Sequence, residues 1–127
     1  MEFPDALRYT VEHEWARLGD DGVVTMGISD YAQDALGDIV YVSLPAEGSS
    51  VEKGRPLGEV ESTKSVSEIY APCSGQVSEA NAALDESPER INADPYGDGW
   101  LVKIRPSNPA ELDDLMDAAA YKEMVGE

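Results

Sequence analysis

The sequence predicts a mainly β protein: a sandwich or barrel-like core of about eight short strands, small helical pieces and a terminal helix. Three features carry that expectation. Short β-branched runs recur along the first two-thirds of the chain, as in Val23-Val24-Thr25 and Ile39-Val40-Tyr41-Val42. Stretches rich in Gly, Pro, Asp and Ser separate these runs, as turns between short strands require. The clearest apolar stripe at helical spacing lies near the end, at Leu112, Leu115 and Met116. A length of 127 residues gives room for one domain, taken as residues 1–127.

The elements follow in order. Residues 22–28 are β-branched and glycine-bounded, and Asp20-Asp21-Gly22 supplies a turn after the run 15–18. A short helix comes next. Ser29 or Asp30 can cap it, Tyr31, Ala32, Ala35 and Leu36 share one face, and Gly37 fits the position after its end. Asp38 leads into a strand at 39–44, which Pro45 stops. Residues 45–48 and 53–56 are turns on either side of Val51. Residues 57–61 and 66–70 read as the arms of a hairpin with its tip at 62–65, Ser-Thr-Lys-Ser.

Residues 71–75 turn into a strand at 76–79, and 81–92 read as short helical turns interrupted by Pro88. The loop 95–99 precedes a strand at 100–104. A helical region then covers about 109–125, with Asn108 as cap, Pro109 in the first turn and Glu111 three after the cap. The pattern leaves open whether that helix runs on through 118–124 or breaks. The predicted core is Trp15, Val23, Ile28, Leu36, Val40, Val42, Leu57, Val60, Ile69, Val77, Trp100, Val102, Ile104, Leu112 and Leu115. Correct strand phases would bury at least about two-thirds of them.

Charge narrows the function classes. Twenty-six acidic residues against nine basic ones give a formal net charge of −17. Such a field repels phosphate backbones and anionic lipid, so neither nucleic acid nor membrane is an expected partner. One cysteine, Cys73, excludes an intramolecular disulfide, and with one histidine, His13, it leaves no Cys/His metal cluster. Residues 1–6 lack the features of a signal or transit peptide, and no apolar run approaches a membrane span. A cytoplasmic protein of bacterial or archaeal type is expected.

No catalytic site assembles. Cys73 and His13 are the sole candidates for a nucleophile pair, and they read as a small turn residue and an unrelated imidazole. Gly97-Asp98-Gly99 lacks the strand, helix and basic residue of a phosphate loop, so it is a turn. Carboxylates are too numerous for spacing to single out an acid–base pair. The hairpin tip differs. Lys64 sits there among small uncharged neighbours, where a rigid stem presents its amine with little bulk to block an acylating enzyme.

Those residues belong to a longer pattern. Tyr9-Thr10 and His13-Glu14-Trp15 come first, then a block from Gly27-Ile28-Ser29 through Leu36-Gly37-Asp38-Ile39-Val40-Tyr41-Val42 to Leu44-Pro45. Val60-Glu61-Ser62-Thr63-Lys64-Ser65, Ile69-Tyr70-Ala71-Pro72, Ser74-Gly75, Val77 and Asn81 follow, and Ile91-Asn92 with Pro95-Tyr96-Gly97-x-Gly99-Trp100-Leu101 close it. In this order the chain resembles the glycine cleavage system H protein family from Leu7 to Val125. Arg90 departs from the pattern, standing where the family usually has an apolar residue.

The resemblance implies a barrel-sandwich hybrid of the lipoyl/biotinyl type, with two antiparallel sheets, and a carrier rather than an enzyme. It maps lipoate onto Lys64 as N6-lipoyl-lysine. The implied arm shuttles the aminomethyl group of glycine from glycine decarboxylase to aminomethyltransferase, and dihydrolipoyl dehydrogenase reoxidises the dithiol. A lipoate ligase or lipoyl transferase is the fourth implied partner. The resemblance also implies a water-excluding cleft for the loaded arm, with Glu14 and Glu68 as its candidate carboxylates; Tyr9, Thr10 and Trp15 around Glu14 can form an apolar wall there. Three alternatives share the hairpin: an H-like protein relaying lipoate to other complexes, a biotin carrier, and a lipoyl domain of a 2-oxoacid dehydrogenase, which would be shorter and lack the His-Glu-Trp start and the terminal helix. The second usually flanks its lysine with methionines, whereas Thr63 and Ser65 flank Lys64.

Overall fold

Short strands pair into two antiparallel sheets, and the computed structural model describes all of residues 1–127. In chain order the elements are β1 (Arg8–Tyr9), β2 (Glu14–Leu18), β3 (Val24–Ile28), α1 (Asp30–Leu36), β4 (Ile39–Ser43), β5 (Ser50–Val51), β6 (Pro56–Ser62) and β7 (Val66–Tyr70). Then come β8 (Gly75–Ala80), α2 (Ala83–Glu86), α3 (Arg90–Ala93), β9 (Val102–Pro106), a 3-10 turn at Pro109–Asp114 and α4 (Ala118–Val125). One sheet has six strands in the order β1-β2-β3-β9-β8-β5, and the other has three, β4-β6-β7. The main core lies between them: Ala16, Met26 and Ile104 from the first sheet meet Val42, Val60 and Ile69 from the second. The sandwich expectation holds.

Details differ where local geometry overrode the pattern. Of the predicted core, nine residues are buried: Trp15, Ile28, Val42, Val60, Ile69, Val77, Val102, Ile104 and Leu112. That falls just short of two-thirds, because the phase is one residue off in three places. Val24, Ile39 and Leu101 are buried where Val23, Val40 and Trp100 were expected. Val23 is held in the turn by the Asp21 carboxylate, which accepts its N–H at 3.0 Å. A register shift between Ile39 and Tyr41 turns Val40 outward. Trp100 still belongs to the preceding turn, donating its N–H to the Gly97 carbonyl, so β9 starts two residues later than predicted.

The first helix forms as read. Ser29 Oγ accepts the Ala32 N–H and Gly37 follows at φ 82°, although Ala35 faces solvent. The terminal helix breaks. Asn108 caps only the 3-10 turn, and Asp117 starts α4 afresh by accepting the Ala120 N–H. Glu111 does not close a capping box; its carboxylate reaches the Ser74 N–H at 2.9 Å instead. Arg90 opens α3 with an exposed side chain 4.0 Å from Asp98, so its departure from the pattern disturbs no packing.

A second, smaller cluster covers the outer face of β1 and β2. Strand alternation sends Trp15 there while Glu14 and Ala16 face the other way. Trp15 packs with Leu7, Tyr9, Ala118 and Tyr121, and donates its indole N–H to the Pro95 carbonyl at 2.9 Å. Tyr9 stacks on Tyr121 with ring centroids 4.6 Å apart and exchanges two backbone bonds with Met116, at 2.8 and 2.9 Å. His13, at φ 75°, aims Nδ1 at the Tyr121 hydroxyl, 2.9 Å away.

Close backbone approach fixes one glycine in the smaller sheet. A Cβ on Gly58 would run into the Ser43 carbonyl oxygen, a main-chain atom with no room to yield. Gly58→Ala is therefore expected to cost about 1–3 kcal/mol, as overpacking does. Denaturant unfolding of the variant checks this, and an unchanged midpoint would show that β4 and β6 can part.

Candidate functional site

The hairpin of β6 and β7 reverses through Ser62-Thr63-Lys64-Ser65, and Ser62 locks the reversal. Its backbone N–H donates to the Ser65 carbonyl at 2.8 Å. Its hydroxyl accepts the Ser65 N–H at 3.1 Å and the Lys64 N–H at 3.3 Å. A serine in this role makes the turn rigid without adding bulk. Thr63 donates its N–H to the Asp38 carbonyl at 3.0 Å, tying the tip to the segment after α1. Lys64 is exposed, and its ammonium enters none of the chain's four ion pairs. Its Cε lies 3.7 Å from where a Cβ on Gly37 would stand. Small neighbours, an unpaired amine and a locked stem suit covalent attachment at Lys64.

A separate cavity of about 410 Å³ opens between β2, the end of β7 and the 3-10 turn. Tyr9, Thr10, Glu12, Glu14, Lys53, Tyr70, Asp114 and Met116 are among its lining residues. Glu14 is its most constrained acid, 1% exposed. It accepts hydrogen bonds from the Thr10 hydroxyl and, at 3.2 Å, from the Tyr70 N–H. Burial outweighs those bonds and pushes its pKa up to about 7. Lys53, the one basic residue in the lining, is already engaged: Nζ donates to the Glu111 carbonyl at 3.0 Å and lies 3.4 Å from Asp114. Glu12, Glu14 and Asp114 leave the cavity acidic, which suits a cationic group.

The structure brings some of the sequence-derived residues together and separates others. Glu14, Tyr9 and Thr10 do share one cavity. Trp15 does not join them, because as Glu14's strand neighbour it points to the opposite face. Glu68 lies outside the lining as well; its exposed carboxylate accepts from the Tyr70 hydroxyl at 3.1 Å. Cys73 sits in the main core with its thiol pushed up to about 11 by burial, while His13 faces Tyr121 and Tyr31. Sequence reasoning missed Lys53, Tyr70 and Asp114. Lys53 had a signal, being one of only four lysines; the other two reach the cavity of Glu14 through long-range folding that no spacing reveals. No group of three or more His, Cys, Asp or Glu side chains is placed to hold a metal ion. No helix is long and apolar enough to cross a membrane.

Comparison with known proteins places the fold in a family. The family model described as glycine cleavage H-protein matches residues 7–127. A glycine cleavage system H protein of Anaeromyxobacter sp. (strain K) is 57% identical over 127 residues, covering 100% of this chain and 98% of the relative. That of Bacteroides fragilis is 51% identical over 125 residues, covering 98% of each. The crystal structure of a glycine cleavage system H protein from Mycobacterium marinum superposes with a TM-score of 0.91 at 42% identity, covering 98% of this chain and 99% of that one. The chain belongs to the glycine cleavage H-protein family, and it is a carrier protein rather than an enzyme.

Proposed function

We propose that the chain carries lipoate on Lys64 and shuttles the aminomethyl group of glycine from glycine decarboxylase to aminomethyltransferase. The observation that carries this reading is the unpaired Lys64 amine on a serine-locked turn, in a chain of this family. Joined to the Lys64 amine as an amide, lipoate would supply a dithiolane disulfide that opens to accept the aminomethyl group, and the dithiol left after one-carbon transfer would be the substrate that dihydrolipoyl dehydrogenase reoxidises. A lipoate ligase or lipoyl transferase makes the attachment, in the cytoplasm. The chain's own residues supply the stem and a place for the cargo. Ser62 and Thr63 fix the stem. Glu14, as a nearly buried carboxylate in the cavity wall, meets a cationic cargo more strongly than bulk water would allow, by typically ~1.5–3 kcal/mol for a charge-assisted hydrogen bond.

The test is reconstitution. Incubation with lipoate, ATP and a lipoate–protein ligase should add one lipoyl mass at Lys64. The loaded chain should then support glycine-dependent CO₂ release and one-carbon transfer to tetrahydrofolate with the three partner enzymes. Acylation without glycine turnover would leave a lipoate relay and end the shuttle reading. A mass increment elsewhere would remove Lys64 from it.

The net charge of −17 predicts how these partners arrive. Encounter steered by charge slows as salt shortens the Debye length towards ~8 Å at physiological ionic strength. Stopped-flow association with glycine decarboxylase should therefore slow between low and physiological salt. Rates flat across that range would leave the acidity a matter of solubility or salt adaptation.

A further inference from the structure

The turn that bears Lys64 is anchored outside its own hairpin. Thr63 donates its N–H to the carbonyl of Asp38, so the tip hangs on the junction between α1 and β4, residues 37–39. That junction reverses sharply at Gly37, φ 82°, and its backbone groups need partners. One side chain from a distant element supplies two of them. Asn92, on α3, donates from Nδ2 to the Gly37 carbonyl at 2.9 Å and accepts the Ile39 N–H on Oδ1 at 2.9 Å. Its second Nδ2 hydrogen goes to Gln33 Oε1 at 2.9 Å, which fastens the junction to the last turns of α1. Asn92 thus grips the chain on both sides of Asp38, the residue from which the tip hangs.

We propose that Asn92 is a positioning residue for Lys64: by holding residues 37–39 it fixes the 62–65 turn in the orientation that an acylating enzyme requires. This rests on the reading that Lys64 is acylated. Before attachment there is no long arm, so the enzyme must bring its own active site to the lysine. Gly37 lies under the stem of that lysine, so the same junction also sets where the side chain rests. A loosened junction lets the tip sample other orientations. The competent fraction falls, and the apparent affinity for the enzyme falls with it, while the bound tip reacts as before.

The experiment compares Asn92→Ala and Asn92→Asp with the wild-type chain. The Asp variant keeps the side-chain volume and the acceptor for Ile39 but loses both donors. With purified lipoate–protein ligase, lipoate and ATP, the KM for the unmodified chain should rise roughly tenfold with kcat unchanged. Hydrogen exchange at the Thr63 amide should quicken by about tenfold, while the Val102 and Ile104 amides keep their protection. If the Ala variant fails to fold, the Asp variant is read in its place. An unchanged KM, exchange that quickens equally along the chain, or loss of the fold in both variants would overturn the proposal. A wild-type chain that is not acylated at all would instead strike the reading of Lys64 as the attachment site.

Discussion

Lys64→Arg should abolish lipoylation and glycine cleavage while leaving the melting temperature unchanged. The substitution keeps a positive charge at an exposed tip whose side chain makes no ion pair. The turn beneath it is held by Ser62 and by backbone groups, none of which the substitution touches. Chemistry alone is altered. A guanidinium stays protonated at any pH the protein tolerates and offers no free amine to acylate. Mass spectrometry after incubation with the ligase reads the first effect, and glycine-dependent CO₂ release reads the second. Retained turnover would place the attachment elsewhere, whereas a large fall in melting temperature would mean the tip contributes to folding.

Glu14→Gln is expected to stabilise the fold, and increasingly so above about pH 5. In the folded state burial raises the Glu14 carboxyl from 4.5 to about 7. The folded chain therefore holds a proton that the unfolded chain has released. That contribution is fully present below pH 4.5 and is lost as pH rises through about 7. An amide does not titrate, so the variant escapes the loss, on the order of 3 kcal/mol at pH 8. Thr10 can still bond it, because a hydroxyl can accept as well as donate. Urea unfolding at pH 5 and pH 8 checks the sign: the two proteins should differ little at the lower pH and widely at the higher. A constant difference would mean that the proton sits on another group. On the proposed cargo role the same titration would set the working range of the cavity, since Glu14 is a carboxylate only above its own pKa.

What could be read from the sequence divides by the range of the interaction that decides it. Residues 62–65 form a tight turn because of chemistry within four residues, and Ser29 caps α1 for the same reason. The break before α4 stayed undecided in the sequence because Met116 pairs with Tyr9, a partner from the other end of the chain. Val40 looked like core because it alternates correctly with Val42, and a register shift against β6 overruled the alternation. The site shows the same split. Lys64 stands out by its neighbours in sequence. Glu14 stands out through its His-Glu-Trp segment, but its confinement by Tyr70 comes from the opposite sheet. Trp15 was placed on the wrong side of Glu14 because two adjacent strand residues cannot line one wall.

The clasp between Tyr9 and the segment 116–121 sets an order of events during synthesis. Tyr121 is made 112 residues after Tyr9, a delay of roughly 6–20 s at bacterial and eukaryotic elongation rates of about 5–20 residues per second. Throughout that interval β1 has no Met116 to pair with, and the ring of Tyr9 has nothing to stack on. Leu7 and Trp15 likewise lack Ala118 and Tyr121, the two buried members of their cluster that α4 supplies. The turn that bears Lys64 does not wait for α4: Ser62 closes it locally and its outside anchors, Asp38 and Asn92, are made earlier. A nascent chain thus leaves its aromatic N-terminal face without its α4 cover for seconds, until α4 has been made.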